Sequence, residues 1–322
     1  MSRDAHIVVV GSFAVGLTMK TERFPSTGET VLGSGYRTDH GGKGSNQAVG
    51  CARLGAKVSF VARIGKDPFG EMALGLYREE GVDATWVRQV AERPTGVGFI
   101  LVKPVSGENC IALDPGANDL LAAADVAESE AALASADVVL TQLEIPVVAA
   151  EAAMACGRAH GAITVLNPAP ARPLPPAVLE NVDILTPNKV EAKVLLAHRP
   201  EEEIDPSQLA RELLQLGPRN VVVTLGERGA FIANRALGRE VPAIRVPAVD
   251  TTGAGDAFNA GLAVALAHGV DLEAAVNLAV ITGGLAVTKD GVVPALPRWD
   301  EVLAYCEQSG LPMPDWLNRE KR

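Results

Sequence analysis

From Val249 to Asn259 the chain reads Val-Asp-Thr-Thr-Gly-Ala-Gly-Asp-Ala-Phe-Asn, two glycines and a carboxylate in a turn that runs into a helical pattern. Gly253 and Gly255 open backbone conformations closed to other residues, so successive N–H groups can converge at the N-terminus of a helix beginning near Asp256. Such a point suits a transferring phosphoryl group. Asp256, ionised beside the positive end of that helix, can accept the proton of an attacking hydroxyl while the amides stabilise charge on the phosphorus oxygens. The alternative for this stretch alone is a glycine-rich turn capped by an aspartate.

Four further stretches carry chemistry. His40 to Gly55 is a glycine-rich turn leading into a helix with apolar Ala48, Cys51, Ala52 and Leu54. It is not a Walker A loop, because Arg37 and Gly44 stand where that motif needs Gly and Ser or Thr. Gly41 and Gly42 would let a small polyhydroxylated ligand come near the backbone, with Asn46 exchanging hydrogen bonds with its hydroxyls; the alternative is a tight turn with a solvated Lys43. The strand ending at Leu143 delivers Glu144, which either meets a ligand or faces water. Asn188 and Glu191, three apart at a helix start, suit a hydrated Mg²⁺ bridging nucleotide phosphates, or a capping box, and the two roles are compatible. Thr224 to Ala230 is a glycine turn able to approach a nucleotide.

The elements that must position these groups read as an α/β fold. Ile7-Val8-Val9-Val10 before Gly11-Ser12 is a buried parallel strand ending in a turn, the usual start of a doubly wound sheet. Strand and helix patterns alternate through 58–90, with a helix from about Pro68 through Glu80 closed by Gly81. Helix-rich segments at 120–134 and 147–160 flank the strand from Val138, and further strands cover 163–166, 182–185 and 220–224. Two apolar helices follow, one from Asp256 and one over about 272–287; a helix after Pro297 gives way to a polar tail. Residues 15–40, with β-like pieces around Phe24 to Glu29, and a hairpin over 95–113 turning at Ser106 to Asn109 depart from this alternation and predict a small separate sheet, a lid over a site. No repeat or interdomain linker interrupts the chain, which predicts one domain over 1–322 with lid segments at about 13–40 and 95–114.

Composition narrows the partners. The 322 residues are 48% hydrophobic and only 4% aromatic, which suits helix-on-sheet packing rather than a stacking surface for bases. A formal net charge of −10 argues against nucleic acid as well. The apolar run after Met1 to His6 is too short for a signal-peptide core, and no long apolar span is present, which predicts a cytoplasmic protein with no membrane partner. Cys51, Cys110, Cys156 and Cys306 form no C-x-x-C and suggest neither a disulfide framework nor a zinc site.

Together these stretches resemble the ribokinase, or PfkB, family of carbohydrate kinases over nearly the whole chain. The resemblance rests on Gly-Gly-Lys-Gly-x-Asn-Gln at 41–47, Asn-Pro-Ala-Pro-Ala at 167–171, Thr-Pro-Asn-x-x-Glu-Ala at 186–192, Thr-Leu-Gly-x-x-Gly at 224–229 and Asp-Thr-x-x-Ala-Gly-Asp-x-Phe-Asn at 250–259, in the family's order. It implies ATP-dependent phosphorylation of a primary hydroxyl on a small sugar, ribose by default, in a Rossmann-like domain whose mostly parallel sheet is flanked by helices and carries a β-lid. Carried over by position, Asp256 is the base, and Gly253, Ala254, Gly255 and the Asp256 amide belong to the anion hole. Gly42, Lys43, Asn46 and Glu144 fall on the sugar side. Asn188 and Glu191, with Thr224, Leu225, Gly226, Glu227, Arg228 and Gly229, fall on the Mg-ATP side. A monovalent cation, usually K⁺, is implied beside the anion hole, at Asp250 and Thr252 and the loop containing Ala286, Lys289, Gly291 and Ala295. The lid is implied to form a homodimer.

Four positions depart from the family pattern. Ala14 and Gly16 stand where ribokinases proper carry an Asn and an Asp that grip ribose hydroxyls, so two polar anchors are missing. An unmade hydrogen bond of this kind is worth roughly 0.5–1.5 kcal/mol, so the loss could weaken ribose by ~10–100-fold and favours a deoxygenated or bulkier acceptor. Ala295 replaces a Ser of the cation loop, and Val280 stands where many relatives carry Asn or His near the adenine. The rivals within the class are therefore a 2-deoxyribose, other sugar or nucleoside kinase. Outside it stands a sugar-binding regulator without catalysis, against which the intact Gly253, Gly255 and Asp256 argue.

Overall fold

The computed structural model describes residues 5–311; the polar end of the tail and the first four residues lie outside the described residues. Its strands are β1 (His6–Val10), β2 (Ala14–Lys20), β3 (Ser34–Gly41), β4 (Lys57–Gly65), β5 (Asp83–Val90), β6 (Gly96–Val102) and β7 (Asn109–Asp114). They continue with β8 (Val138–Thr141), β9 (Ile163–Leu166), β10 (Ile184–Leu185), β11 (Asn220–Thr224), β12 (Ala230–Ala233) and β13 (Gly238–Val241).

Nine strands form the main sheet in the order β13-β12-β11-β10-β9-β8-β1-β4-β5. From β11 to β5 every pairing is parallel, and β12 and β13 add an antiparallel edge. In β1 all five residues are buried. Ile7 and Val9 belong to one apolar core, Val8 and Val10 to the other. A strand apolar on both sides has to be covered on both, and helices do so. One face carries the helices Lys43–Arg53, Pro68–Glu80, Ala254–Ala267 and Leu272–Ala286; the other carries Val147–Ala159 and Pro206–Leu214. The Pro68–Glu80 helix starts and stops as its sequence predicts. The Asp67 side chain accepts the Gly70 amide at 2.9 Å, Pro68 takes the first turn, and Gly81 ends the helix at φ 71°.

The chain leaves β1 toward β4 and β5 on one side and returns to run β8, β9, β10, β11 on the other. The connections after β1 and β8 therefore diverge, and the crevice between them, outside the carboxyl ends of the strands, is where ligands bind in such sheets. Ser12 and Glu144 stand at its two lips.

A second sheet of four strands, in the order β3-β2-β6-β7, forms from the two segments expected to make the lid. The strands are not where the β-like pieces were expected. Phe24 to Glu29 is a turn, closed by the Arg23–Glu29 ion pair and by the Glu29 amide on the Ser26 carbonyl at 3.0 Å. The strands flank it, because Pro25 and the positive φ of Gly28 suit a bend and not a ladder. The β12–β13 hairpin was not expected at all, and the strand expected over 182–185 is confined to Ile184–Leu185. Among the described residues no helix is long and apolar enough to cross a membrane.

Candidate active site

The helix Ala254–Ala267 begins at the divergence of strands with Gly253 as its N-cap, at φ 80°. A Cβ there would meet Val292 Cγ1 at 2.7 Å, so both conformation and space require glycine. The Ala254 amide points at the Thr251 carbonyl at 3.3 Å, whereas those of Gly255 and Asp256 meet no acceptor among the described residues. These are the orphan donors of a helix start, and they leave an anion site. The turn is pinned from behind by Asn259, which donates to the Gly255 carbonyl at 2.8 Å and accepts from Thr186 Oγ1 at 2.7 Å.

Asp256 is 5% exposed. Its Oδ2 accepts from Asn46 Nδ2 at 2.8 Å and its Oδ1 from Gln47 Nε2 at 3.0 Å, both near the start of the Lys43–Arg53 helix. Gln47 is held in turn by Gln142, at 2.5 Å, and by Asn167, at 3.2 Å, so the carboxylate sits on a buried amide network with a fixed orientation. Asn46 Oδ1 is buried and has no hydrogen-bond partner. A buried acceptor left open beside the base is a place for a ligand hydroxyl. The negative charge of Asp256 is also the largest influence on Lys43, and it holds the ammonium above its ordinary value despite burial.

Glu144 is half-buried and partnered. Its Oε2 accepts from Ser12 Oγ at 2.6 Å and from the Lys43 amide at 2.8 Å. It serves as a remote cap for a helix whose N-cap, Gly42, has no side chain, and so ties the ends of β1 and β8 to the Asn46 helix.

A cavity of about 820 Å³ opens on the other side of the Ala254–Asp256 turn. Asn188, Thr224, Gly226 to Gly229, Gly255 and Val280 line it, together with the unforeseen 243–246 strand-edge segment, Gly283 and Gly284. The 186–191 and 224–229 turns meet through the Asn188–Thr224 bridge and the Thr224 amide on the Pro187 carbonyl at 2.9 Å. Leu225 is the exception among the residues expected here, since it packs against the core and its amide closes the turn on the Gly229 carbonyl at 2.8 Å.

Asn188 and Glu191 form the capping box, each accepting the other's amide at 2.8 Å. Burial raises the Glu191 carboxyl above its ordinary value and Asp256 adds to this, while the Asn188 amide and Lys43 act against it. A folded chain that holds this proton more tightly than the unfolded one has that contribution in full below about pH 4, and loses it as pH rises through the folded value. Glu191→Gln keeps the box and removes the charge. It is expected to melt above the parent at pH 7, with the gap closing toward about pH 4; a melting temperature at or below the parent's at pH 7 would contradict this.

Of the expected cation residues, Asp250, Thr252 and Gly291 meet at one loop. Val249 and Asp250 donate their amides to the Val287 carbonyl, at 2.7 and 3.2 Å, which brings the end of the Leu272–Ala286 helix against the 250–253 turn. Asp250 accepts from the Thr252 amide at 2.9 Å and the Gly291 amide at 3.2 Å. Burial alone would raise its carboxyl, but these amides, the Thr252 hydroxyl and the Arg37 charge hold it below its ordinary value. Ala286 and Ala295 are buried, and Lys289 is drawn off to Glu301.

Residues 4–299 match the family described as "pfkB family carbohydrate kinase". The chain belongs to this family. Among its relatives is a ribokinase of Haemophilus influenzae, 37% identical over 94% of this chain and 99% of that one. A deoxyribokinase of Salmonella typhi is 34% identical over 94% of this chain and 99% of its own length. Of solved structures, that of Arabidopsis thaliana ribokinase complexed with ribose and ATP superposes with a TM-score of 0.86 at 31% identity, covering 94% of this chain and 98% of that one. The protein is accordingly an ATP-dependent sugar kinase with a ribokinase-like fold.

In this PfkB kinase the residues missed by sequence reasoning are the supports of the base. Gln47 lies next to Asn46 in the same motif and Asn167 heads another, so both were in view; that they share one carboxylate depends on how a helix and two strand ends meet. Gln142 and the 243–246 segment carry no motif. One further trio lies away from the cleft. Cys156, near the end of the Val147–Ala159 helix, and His160, its C-cap, approach Glu130 so that one ligand atom from each falls within 4.8 Å of the others, a spacing the sequence argument against zinc overlooked.

Proposed function

We propose that this kinase transfers the γ-phosphoryl group of ATP to the primary hydroxyl of a small sugar, ribose in the first place, with Asp256 as general base. The observation that carries the reading is the juxtaposition of the buried Asp256 carboxylate, the open Asn46 Oδ1 and the two unpaired amides of Gly255 and Asp256. Asn46 and Gly42 would orient the acceptor, with Lys43 and Glu144 beside them. Asp256 would take the hydroxyl proton as the oxygen attacks, and the amides would carry the charge that builds on the phosphoryl oxygens. The nucleotide would lie in the 820 Å³ cavity against the 224–229 turn. Apolar Val280 at its wall offers the base no hydrogen bond.

Two ions suit the donor sets. Asn188, which lines the cavity, and Glu191, which accepts its amide, are oxygen donors that would hold a hydrated Mg²⁺. When bound it supplies neutralisation of phosphate charge. Asp250, kept ionised, and the backbone oxygens of Thr252, Ala286, Lys289, Gly291 and Ala295 are hard donors suited to K⁺, which would steady the amides of the 253–256 turn. Ala295 contributes no side-chain oxygen, so the effect should need tens of millimolar salt, on the order expected of a site with fewer ligands.

A second acceptor, 2-deoxyribose, is favoured by Ala14 and Gly16, whose side chains offer no hydrogen bond. One assay tests these readings: phosphorylation of ribose, 2-deoxyribose, other sugars and nucleosides with Mg-ATP, in K⁺ and in a bulky organic cation. Turnover of a pentose, faster in K⁺, is expected. Failure with every sugar would return the chain to the class of non-catalytic sugar binders, and equal rates in the two salts would remove the K⁺ site.

The lid sheet exposes Tyr36, Phe99, Ile111 and Leu113. Tyr36 and Phe99 share the face of that sheet turned away from Gly16 and Asp39. An exposed apolar pair of this kind favours burial in a homodimer, and sedimentation as a monomer at micromolar concentration would contradict it. The demand for ATP and the acidic, weakly aromatic composition favour a cytoplasmic enzyme without nucleic-acid or membrane partners.

A further inference from the structure

We propose that Asp39 supplies the carboxylate anchor for an acceptor ring hydroxyl that position 16 lacks. The proposal rests on the sugar-kinase reading above. In the antiparallel β2–β3 pair Gly16 lies directly opposite Asp39, so the two share one face of the lid sheet. A Cβ built on Gly16 would stand 3.9 Å from Asp39 Cβ and 3.5 Å from Ile100 Cδ1, which makes the Asp39 side chain a wall of the space above Gly16. Gly16 has no positive φ, so nothing in the backbone demands glycine there. That same face looks onto the catalytic loop. Arg37, two residues along β3, reaches Asp290 at 3.0 Å, and Asp290 precedes Gly291, whose amide is bonded to Asp250. At the other end Gly41 faces Ala14, and Gly42 leads into the helix that carries Asn46.

Asp39 Oδ2 pairs with Arg37 Nε at 2.8 Å, while Oδ1 has no hydrogen bond among the described residues. An ionised acceptor with a free oxygen, fixed by an arginine and one strand away from the missing anchor, is suited to a hydroxyl on the ring of a pentose. The acceptor class that follows is a sugar with at least one ring hydroxyl facing β3, and a deoxygenated analogue should lose that contact. This anchor restores discrimination that Ala14 and Gly16 alone would forfeit.

The experiment compares kcat/KM for ribose and 2-deoxyribose in four proteins: the parent, Asp39→Ala, Arg37→Ala, and Gly16→Asp combined with Asp39→Ala. Asp39→Ala is expected to lower the efficiency with ribose about tenfold or more relative to 2-deoxyribose, the usual scale for a hydrogen bond to a charged group, and a shift in the opposite direction would contradict the anchor. The double variant returns the carboxylate from the neighbouring strand and should recover the ratio. Arg37→Ala should leave the ratio within about threefold, since the guanidinium only steadies the anchor; if instead it reproduces Asp39→Ala, the pair is structural and the proposal falls. A ratio unchanged in Asp39→Ala, in a parent that phosphorylates either sugar, overturns the anchor and leaves the kinase reading intact. A parent that phosphorylates neither overturns both.

A separate observation carries a second site. We infer that Glu130, Cys156 and His160 bind Zn²⁺ on the face opposite the strand ends. A thiol, an imidazole and a carboxylate within 4.8 Å of one another offer three of the four donors a tetrahedral zinc ion takes, water completing it. Burial and Glu130 hold the Cys156 thiol above its ordinary value until a metal displaces its proton. His160 Nε2 already stands 3.0 Å from Glu130 Oε1, and Cys156 is one helical turn away. On binding, the thiol proton passes to solvent and the sulfur lone pair to the metal. Co²⁺ is the probe, in a Cys110→Ser background that removes the exposed thiol. One equivalent should produce a thiolate-to-cobalt charge-transfer band that Zn²⁺ abolishes and Cys156→Ser prevents. Absence of the band, or its survival in Cys156→Ser, overturns the site.

Discussion

Asp256→Asn is expected to lower kcat by roughly 10²–10⁴-fold while nucleotide binding persists, the scale of a lost general base. The shape is nearly conserved, so the effect isolates charge and basicity. It is not wholly conserved. Both carboxylate oxygens accept amide hydrogens, from Asn46 and Gln47, and an asparagine can accept only one of them, so a cost of about 1 kcal/mol in stability should accompany the variant. The two losses are separable. If Asp256 only organises Asn46 and Gln47, the melting temperature falls but kcat stays within about threefold of the parent, and the assignment of the base is wrong. If it is the base, activity collapses at a temperature where the variant is fully folded.

Gly255→Ala should show the opposite balance. Gly255 is the second residue of its helix, lies outside the positive-φ region, and a Cβ on it meets nothing within 4 Å. Alanine in a helix is better than glycine by about 0.5–1 kcal/mol, so the melting temperature should hold or rise. The open space that accepts the Cβ is the cavity beside the two free amides. A methyl group there competes with the phosphoryl oxygens, and kcat/KM for ATP should fall roughly 10²–10³-fold, the scale of a disabled oxyanion donor. Gly253→Ala is the comparison: its positive φ and the 2.7 Å approach to Val292 predict loss of stability as well as activity. A Gly255→Ala protein with parental kinetics would place the phosphoryl group elsewhere.

Some supports of the site were hidden because their evidence is not local. Glu144 read as a lone carboxylate at a strand end. Its partners, Ser12 and the Lys43 amide, lie more than a hundred residues away in the chain and become neighbours only because β1 and β8 are adjacent. The β12–β13 hairpin lacked a periodic signature strong enough to separate it from a loop, and Phe24 to Glu29 carried apolar residues that the Arg23–Glu29 pair folds into a turn. Leu225 fell within a nucleotide motif, yet the turn that offers Gly226 and Gly229 to the cavity points its side chain into the core.

What the amino-acid order determined by itself is what short-range physics controls. Unbroken valine and isoleucine in β1 require a strand covered on both faces. Asp67, Pro68 and Gly81 delimit a helix, and Gly253, Gly255 and Asp256 make a helix start that leaves amides free beside a carboxylate. These signals act within a few residues, so they survive in the sequence, and the family's motifs are built from them. The tertiary structure alone decided which of these groups meet. Strand order brought Ser12 to Glu144, helix packing set Asn46 and Gln47 on Asp256, and the register of β2 on β3 put Asp39 above the gap at Gly16. Read along the chain, Gly16 is a missing anchor; across the sheet, a carboxylate stands opposite it, because a pleated strand pairs each residue with one that its own neighbours in sequence cannot reveal.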